Sequence, residues 1–170
     1  MNKSKSKSKS IREVIGPQST RFSTCRVGQG IHHSQNLNFT AFPNLTELLL
    51  LELGLTGSIP TTIGTLTKLT MLDLSYNHLH GKLPISLSNL TRLELLYISV
   101  NSLSGVIPSA FGKLKNLRVL SLGSNQIEGP IPMQLGNLKR LEILYLRNNS
   151  LTGSIPSALC QLVNFEFYLP

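Results

Sequence analysis

The chain of 170 residues has no tryptophan, a single aspartate (Asp73) and only two cysteines, Cys25 and Cys160. Two cysteines exclude the dense disulfide framework of a small secreted scaffold. No apolar run is longer than Leu48–Leu51, which is far shorter than the 18 or so residues that a membrane span requires. Charged residues make up 14% of the chain, which is low for a globular protein. We therefore expect no membrane span and no disulfide scaffold.

The net charge of +8 is concentrated at the N-terminus. Residues 1–40 carry seven of the 16 Lys and Arg and one of the eight acidic residues. The alternating segment MNKSKSKSKS lacks the apolar core of a secretory signal, and its composition predicts a disordered, basic tail over residues 1–34. A weak electrostatic site for nucleic acid or anionic lipid is the alternative for this tail. The rest of the chain is nearly neutral, which argues against a nucleic-acid groove.

The hexapeptide LTGSIP occurs at residues 55–60 and again at 151–156, a separation of four periods of 24. The same period organises the whole interval, with leucine or another apolar residue in most columns. One column is always glycine, one is always proline, and one is asparagine in four of five units: Gly57, Gly81, Gly105, Gly129, Gly153; Pro60, Pro84, Pro108, Pro132, Pro156; Asn77, Asn101, Asn125, Asn149. Leu53 takes the asparagine position of the first unit. A fixed period of this length is typical of a solenoid.

Each column predicts a local structure. Alternating apolar positions indicate a short, half-buried strand in every unit, and stacked strands about 4.8 Å apart form a parallel sheet. The glycine column indicates a positive φ or a close approach between coils. The asparagine column predicts a ladder of buried amides that satisfies backbone groups where the chain leaves each strand. One unit cannot bury its own apolar face, but stacked units can.

Two of the units, LTKLTMLDLSYNHLHGKLPISLSN (66–89) and LKRLEILYLRNNSLTGSIPSALCQ (138–161), closely resemble the plant-specific leucine-rich repeat family. Within it, the sequence looks most like the ectodomain of a receptor-like kinase or receptor-like protein. The resemblance implies a right-handed leucine-rich repeat solenoid with short parallel strands on its concave face and loops or 3-10 turns on its convex face. It also implies a second short strand near each G-x-I-P.

The predicted repeat domain covers residues 35–170. It contains five full repeats and a partial one, at 42–65, 66–89, 90–113, 114–137, 138–161 and 162–170. The N-terminal cap of this family usually carries paired cysteines and a tryptophan. Neither feature is found upstream of the first repeat, where Cys25 is the only cysteine. We therefore expect a fragment, a truncated product or a short relative of such receptors.

The resemblance implies a non-catalytic module that binds a protein or peptide ligand, with a possible co-receptor, in plant signalling or defence. It also implies a plasma-membrane or extracellular location, although no signal peptide or span is visible. Two alternatives are an inhibitor of secreted wall-degrading enzymes, and a part of a kinase whose catalytic domain is not in this chain. No cofactor or metal is expected, because His78 and His80 lack repeated Cys or carboxylate partners and Gly28-Gln29-Gly30 lacks a phosphate-loop context.

The candidate ligand-binding residues are those expected to point outward from the concave strands. They are Met71, Asp73, Tyr76, Leu95, Tyr97, Val119, Ser121, Ile143, Tyr145 and Arg147. Tyrosine and arginine are favoured anchors at interfaces, so we expect Tyr97 and Tyr145 to anchor a ligand and Arg147 to bind a carboxylate. The alternative is that the apolar column from Met71 to Ile143 only flanks the core.

Glycosylation sequons are a further expectation, at Asn38, Asn44, Asn89 and Asn148, with another at Asn2. A glycan at Asn89 would lie on the convex side, whereas one at Asn148 would crowd the concave face. Cys25 and Cys160 are expected to stay unpaired, because several coils about 4.8 Å thick separate them.

Overall fold

The computed structural model describes residues 21–23, 39–160, 162 and 166–168. Within these residues, twelve short strands form two parallel sheets that run along a solenoid. The strands are β1 Arg21–Ser23, β2 Glu47–Leu49, β3 Thr56–Gly57, β4 Met71–Asp73, β5 His78–Lys82, β6 Leu95–Tyr97, β7 Ser102–Gly105, β8 Val119–Ser121, β9 Gln126–Pro130, β10 Ile143–Tyr145, β11 Ser150–Thr152 and β12 Glu166–Tyr168. The larger sheet has the order β1-β2-β4-β6-β8-β10-β12 and the smaller has the order β11-β9-β7-β5-β3. The second strand near each G-x-I-P is thereby confirmed.

Short 3-10 helices cover the face opposite the larger sheet, at Phe39–Ala41, Thr61–Thr65, Ile85–Asn89, Ser109–Lys113 and Met133–Asn137. The last four each follow a proline of the proline column, whose φ lies between −62° and −69°. Proline has no N–H to place in the adjacent sheet, and its fixed φ suits the start of a helix. The column therefore marks the change from strand to helix in the first four coils, and Pro156 is followed by a turn instead.

A single hydrophobic core fills the space between the sheets and the 3-10 helices. Its leucine columns are almost completely buried; Leu72, Leu96, Leu120 and Leu144, for example, all have 0% exposure. Phe39, upstream of the first full repeat, is also buried. No single coil encloses these side chains, so each coil is stabilised by apolar surface on its neighbours.

Through the middle of the larger sheet, each residue pairs with its equivalent one full repeat later, and this register changes at both ends. Glu47 pairs with Met71, Met71 with Leu95, Leu95 with Val119 and Val119 with Ile143. At the N-terminal end β1 pairs with β2, which places a sheet strand upstream of residue 35, where the sequence predicts the domain to begin. At the C-terminal end Ile143 pairs with Glu166, which falls one position short of a full repeat.

The glycine column has the positive φ that the sequence predicts, between 73° and 89°. A second column has left-handed backbone that the sequence does not predict, because none of its residues is glycine. These residues come three places after each concave strand and have φ between 54° and 58°: Glu52, Tyr76, Val100, Ser124 and Asn148. Tyr76 and Asn148 were expected to lie on the concave face, but each strand of the larger sheet is three residues long and both residues lie on the turn that follows it.

Candidate functional site

The outward face of the larger sheet is built from two residues of each strand, on either side of a buried leucine. Met71, Leu95 and Ile143 are half-buried in one column, and Asp73, Tyr97, Ser121 and Tyr145 are half-buried in the other. Parallel in-register pairing brings each column into line across the strands. The structure therefore brings together seven of the ten predicted residues on one continuous surface.

Val119 differs from the other predicted residues because only 8% of it is exposed. It lies between Leu95 and Ile143 in the register, and both neighbours have longer side chains that can cover it. The expectation that Val119 faces solvent is therefore wrong. At this strand the surface is contributed by Ser121.

Tyr76 and Arg147 lie beyond the strands, on the turns, rather than on the sheet. Tyr76 is 59% exposed, and Arg147 is exposed and forms no ion pair within the described part of the chain. Both border the sheet face from its C-terminal edge. They can contact a ligand that lies across the strands, but the sheet does not hold them in place.

Tyr145 is the best-positioned aromatic side chain of this face. A β-carbon added to Gly123 would lie 2.5 Å from the Cδ1 atom of Tyr145 and closer still to its Cε1 atom, so the ring occupies space that only glycine leaves open. On the other side, the ring centroid of Tyr145 is 5.7 Å from that of Tyr168, with the planes inclined by 47°. This tilted arrangement is favourable for aromatic pairs.

Tyr168 is a surface residue that the sequence reasoning missed. It pairs with Tyr145 in the sheet and is 45% exposed. Its hydroxyl donates to Oε2 of Glu166 at 2.8 Å, and this hydrogen bond raises the pKa of Tyr168. A strictly constant repeat period does not place Tyr168 in the column of Tyr145. If the last repeat is taken as one residue shorter, Phe167 aligns with the leucine column and Tyr168 aligns with Tyr145. That alignment is the sequence signal that could have identified Tyr168.

Hydrogen bonds along the strands fix the polar residues of the face. The hydroxyls of Ser99 and Ser121 are 2.6 Å apart, and Oδ1 of Asp73 accepts the backbone N–H of Ser75 at 2.9 Å. Ser75 itself is buried, with 5% exposure. These contacts leave the tyrosines, rather than the small polar residues, as the side chains with most surface to offer a ligand.

The asparagine ladder lies beneath the turns and connects consecutive coils. Oδ1 of Asn77 accepts the backbone N–H groups of Leu53 and Leu55 at 3.1 and 2.9 Å, and its Nδ2 donates to the carbonyls of Leu50 and Leu74 at 2.8 and 2.9 Å. Asn101, Asn125 and Asn149 repeat the pattern. Each asparagine reaches back to the coil before it, so the turn of the first coil is held by Asn77 although Leu53 replaces the first asparagine.

An open cavity of about 420 Å³ lies next to the turns of the first three coils. Its lining includes Glu52, Tyr76, His78 and Val100. It adjoins the sheet face at Tyr76, so the surface available to a ligand continues around the C-terminal edge of the strands.

The described part of the chain contains no cluster of three or more His, Cys, Asp or Glu suited to a metal ion. Among those same residues, no helix is long and apolar enough to cross a membrane. The thiol of Cys160 is exposed and free, whereas Cys25 lies outside the described residues. Of the predicted sequons, Asn89 and Asn148 are exposed, Asn44 accepts a hydrogen bond from Lys68 at 2.7 Å, and Asn38 lies outside the described residues.

Comparison with known proteins places these features in context. A family model for the leucine-rich repeat region matches residues 4–166. No curated protein gives a significant match. The leucine-rich repeat ectodomain of the plant membrane receptor kinase GASSHO1/SCHENGEN3 from Arabidopsis thaliana, in complex with CASPARIAN STRIP INTEGRITY FACTOR 2, is 38% identical with a TM-score of 0.72, over 76% of this chain and 16% of that one.

Two further solved structures show how broadly this fold is used. The ectodomain of the Arabidopsis receptor kinase HAESA, in complex with an extended IDA peptide hormone, is 35% identical with a TM-score of 0.76, over 84% of this chain and 25% of that one. A plant ice-binding protein is 37% identical with a TM-score of 0.70, over 72% of this chain and 40% of that one. The chain thus spans a quarter or less of the two receptor ectodomains.

Proposed function

Because this chain belongs to the leucine-rich repeat family and is similar to plant receptor kinase ectodomains, we propose that it binds an extended peptide on the outward face of its larger sheet. In this proposal the chain itself is not catalytic. It acts in plant cell-surface signalling or defence, as part of a receptor-like protein or as a short relative of one.

The supporting observation is the line of tyrosines along that face. Tyr97, Tyr145 and Tyr168 lie in one column of the sheet, with Ser121 between the first two. Tyrosine offers a large apolar ring and a polar end, so it gains contact area with little loss of side-chain entropy. Tyr145 is held in advance by Gly123 and Tyr168, and such preorganisation lowers the entropic cost of binding.

The width of the face limits the ligand. Strands in a sheet are about 4.8 Å apart, so β2 to β12 span roughly 25 Å. That length suits a short extended peptide and is less than a standard protein interface requires. In our proposal the exposed guanidinium of Arg147 binds an acidic side chain or a terminal carboxylate of the peptide. A co-receptor would then contact the peptide and the solenoid together.

Selection from a random-sequence displayed peptide library against the immobilised full chain tests the proposal. Selected peptides are then measured by calorimetry against Tyr97→Ala and Tyr145→Ala. We expect each substitution to weaken binding at least about ten-fold, as for interface anchors. Met133→Ala is the matched control, because Met133 is 68% exposed on the opposite face, and it should change affinity less than about two-fold. Peptides that bind both tyrosine variants as tightly as the wild type would contradict the proposal.

The alternative role, inhibition of a secreted wall-degrading enzyme, is tested with the same preparation. Pectin-, xylan- and glucan-hydrolysing enzymes are assayed with and without the chain. The inhibitor role would replace the peptide proposal on two results together. The chain would select no peptide from the library, and it would inhibit one of these enzymes in a way that Tyr97→Ala and Tyr145→Ala abolish.

A further inference from the structure

Positive charge is concentrated on one long edge of the solenoid. This basic edge consists of the last residue of each 3-10 helix and the segment that joins it to the next concave strand, at residues 65–70, 89–94, 113–118 and 137–142. It holds seven of the nine Lys and Arg found in residues 41–170 but only two of the seven acidic residues, Glu94 and Glu142, which leaves a local net charge of +5. The remainder of residues 41–170 has two basic and five acidic residues, a net charge of −3. The near-neutral total therefore conceals a strongly polarised surface.

The four segments form one continuous ridge rather than separate patches. The backbone N–H of Glu94 donates to the carbonyl of Thr70, that of Arg118 to Glu94, and that of Glu142 to Arg118, at 2.8 Å each. Consecutive segments are thus one strand spacing apart, about 4.8 Å. At that spacing, four coils give a row about 14 Å long that runs along the solenoid.

Most of the charge on the ridge is not neutralised. Only Arg118 is paired with an acid in the described part of this edge; its Nε and Nη2 atoms donate to Glu142 at 2.8 and 3.0 Å. The other six cations are all exposed: Lys68, Arg92, Lys113, Lys115, Lys139 and Arg140.

Contacts of these cations across the coils are to neutral oxygens. Nζ of Lys115 donates to the carbonyl of Asn137 at 3.3 Å, and Arg140 donates to Oδ1 of Asn116 at 3.2 Å. These bonds orient the side chains without cancelling their charge. The ridge therefore presents a fixed positive potential to a negatively charged partner.

The ridge has no apolar or aromatic surface that would favour other classes of partner. Every apolar residue of the four segments is a buried leucine, and none of the exposed large hydrophobic residues lies there. Single-stranded nucleic acid is normally bound with aromatic stacking platforms, membrane surfaces with an apolar face in addition to charge, and proteins with apolar or aromatic anchors. What the ridge offers besides charge is a set of hydroxyl and amide groups, on Thr67, Thr91, Asn116 and Asn137.

We propose that the basic edge binds a linear, carboxylate-bearing polysaccharide laid along the solenoid axis. Its carboxylates would pair with the row of Lys and Arg, for which arginine offers bidentate geometry. Its hydroxyls would exchange hydrogen bonds with the threonines and asparagines between them. This site is separate from the sheet face, so it does not depend on the peptide-binding proposal.

Binding of the full chain to immobilised polygalacturonate, measured by biolayer interferometry at 50 and 200 mM NaCl, tests the proposal. To separate the ridge from the lysine-rich N-terminus, all variants carry Lys3→Gln, Lys5→Gln, Lys7→Gln and Lys9→Gln. The ridge variant adds Arg92→Gln, Lys115→Gln and Lys139→Gln. The matched control instead adds Ser109→Glu, Gln126→Glu and Gln134→Glu, which changes net charge by the same amount at exposed positions off the ridge. Circular dichroism melting confirms that each variant is folded.

We expect the background protein to bind polygalacturonate and to lose at least about ten-fold in affinity at the higher salt, as charge-driven binding does. The ridge variant should lose at least about ten-fold more at 50 mM NaCl, and the control less than about three-fold. Three results would overturn the proposal. They are loss of binding when the N-terminal lysines are replaced, equal losses in the ridge variant and the control, and binding to anionic vesicles or a poly-dT oligonucleotide as tight as to polygalacturonate.

Discussion

The ring of Tyr145 lies against the backbone of Gly123, in space that a β-carbon would fill. Gly123→Ala should therefore displace the ring, strain the coil and lower the free energy of unfolding by about 1–3 kcal/mol, as overpacking does. In a Tyr145→Ser background the same substitution should cost at least about 1 kcal/mol less, because most of the obstruction is gone. Urea unfolding of the four proteins measures this coupling. Additive effects would show that the two residues do not constrain each other.

The asparagine ladder predicts a large cost for losing one amide. Asn101→Ala leaves the N–H of Leu79 and the carbonyls of Leu74 and Ile98 without their side-chain partner, and should lower the free energy of unfolding by about 2–4 kcal/mol. Asn116→Ala is the control, because its hydrogen bonds with the carbonyl of Thr91 and with Arg140 are both exposed, and it should cost less than about 0.5 kcal/mol. Equal effects in urea unfolding would show that the ladder adds no more than surface hydrogen bonds.

Val100 predicts a stabilising substitution. Its φ of 58° is unfavourable for a β-branched residue, and left-handed backbone costs non-glycine residues roughly 1–2 kcal/mol. Asparagine tolerates this conformation and already occupies the equivalent place as Asn148. Val100→Asn should therefore raise stability by about 0.5–1 kcal/mol. Val106→Asn removes another exposed valine, one outside the positive-φ positions, and should not stabilise. A lower melting temperature for Val100→Asn would show that its side chain contributes contacts that outweigh the strain.

The Arg118–Glu142 pair predicts a pH effect with a defined sign. The hydrogen bond from Arg118 lowers the pKa of the Glu142 carboxyl below its usual range. A carboxyl whose pKa is lower in the folded state contributes stability above its unfolded pKa and loses it as pH falls through the folded pKa. Carbon-13 NMR titration should show the pKa of Glu142 rising in Arg118→Gln and staying unchanged in Lys82→Gln. A Glu142 pKa that is the same in all three proteins would mean that the pair does not persist in solution.

The repeat period was enough to predict the solenoid, the concave row of short strands, the positive φ of the glycine column and the asparagine ladder, and the family resemblance added the second row of strands. These features repeat because each coil meets the same neighbours, so one residue type suits every copy. The details that escaped prediction are those that depend on a particular pair of coils. Val119 is buried because longer residues lie on both sides of it, and Tyr168 joins the tyrosine column through a step one position shorter than the period. The charged ridge was not predicted because the net charge of the repeats does not show where the charged side chains lie in space.

The backward reach of the asparagine ladder has a consequence for synthesis. Each asparagine satisfies backbone groups that lie 22 to 27 residues earlier in the chain. While the polypeptide emerges from the ribosome, the turn of the newest coil therefore has no partner until the next coil has been translated. A nascent chain of this kind always has one coil at its growing end whose turn lacks its side-chain hydrogen bonds. A repeat added by gene duplication would supply, through its asparagine, the hydrogen bonds for the turn of the repeat before it.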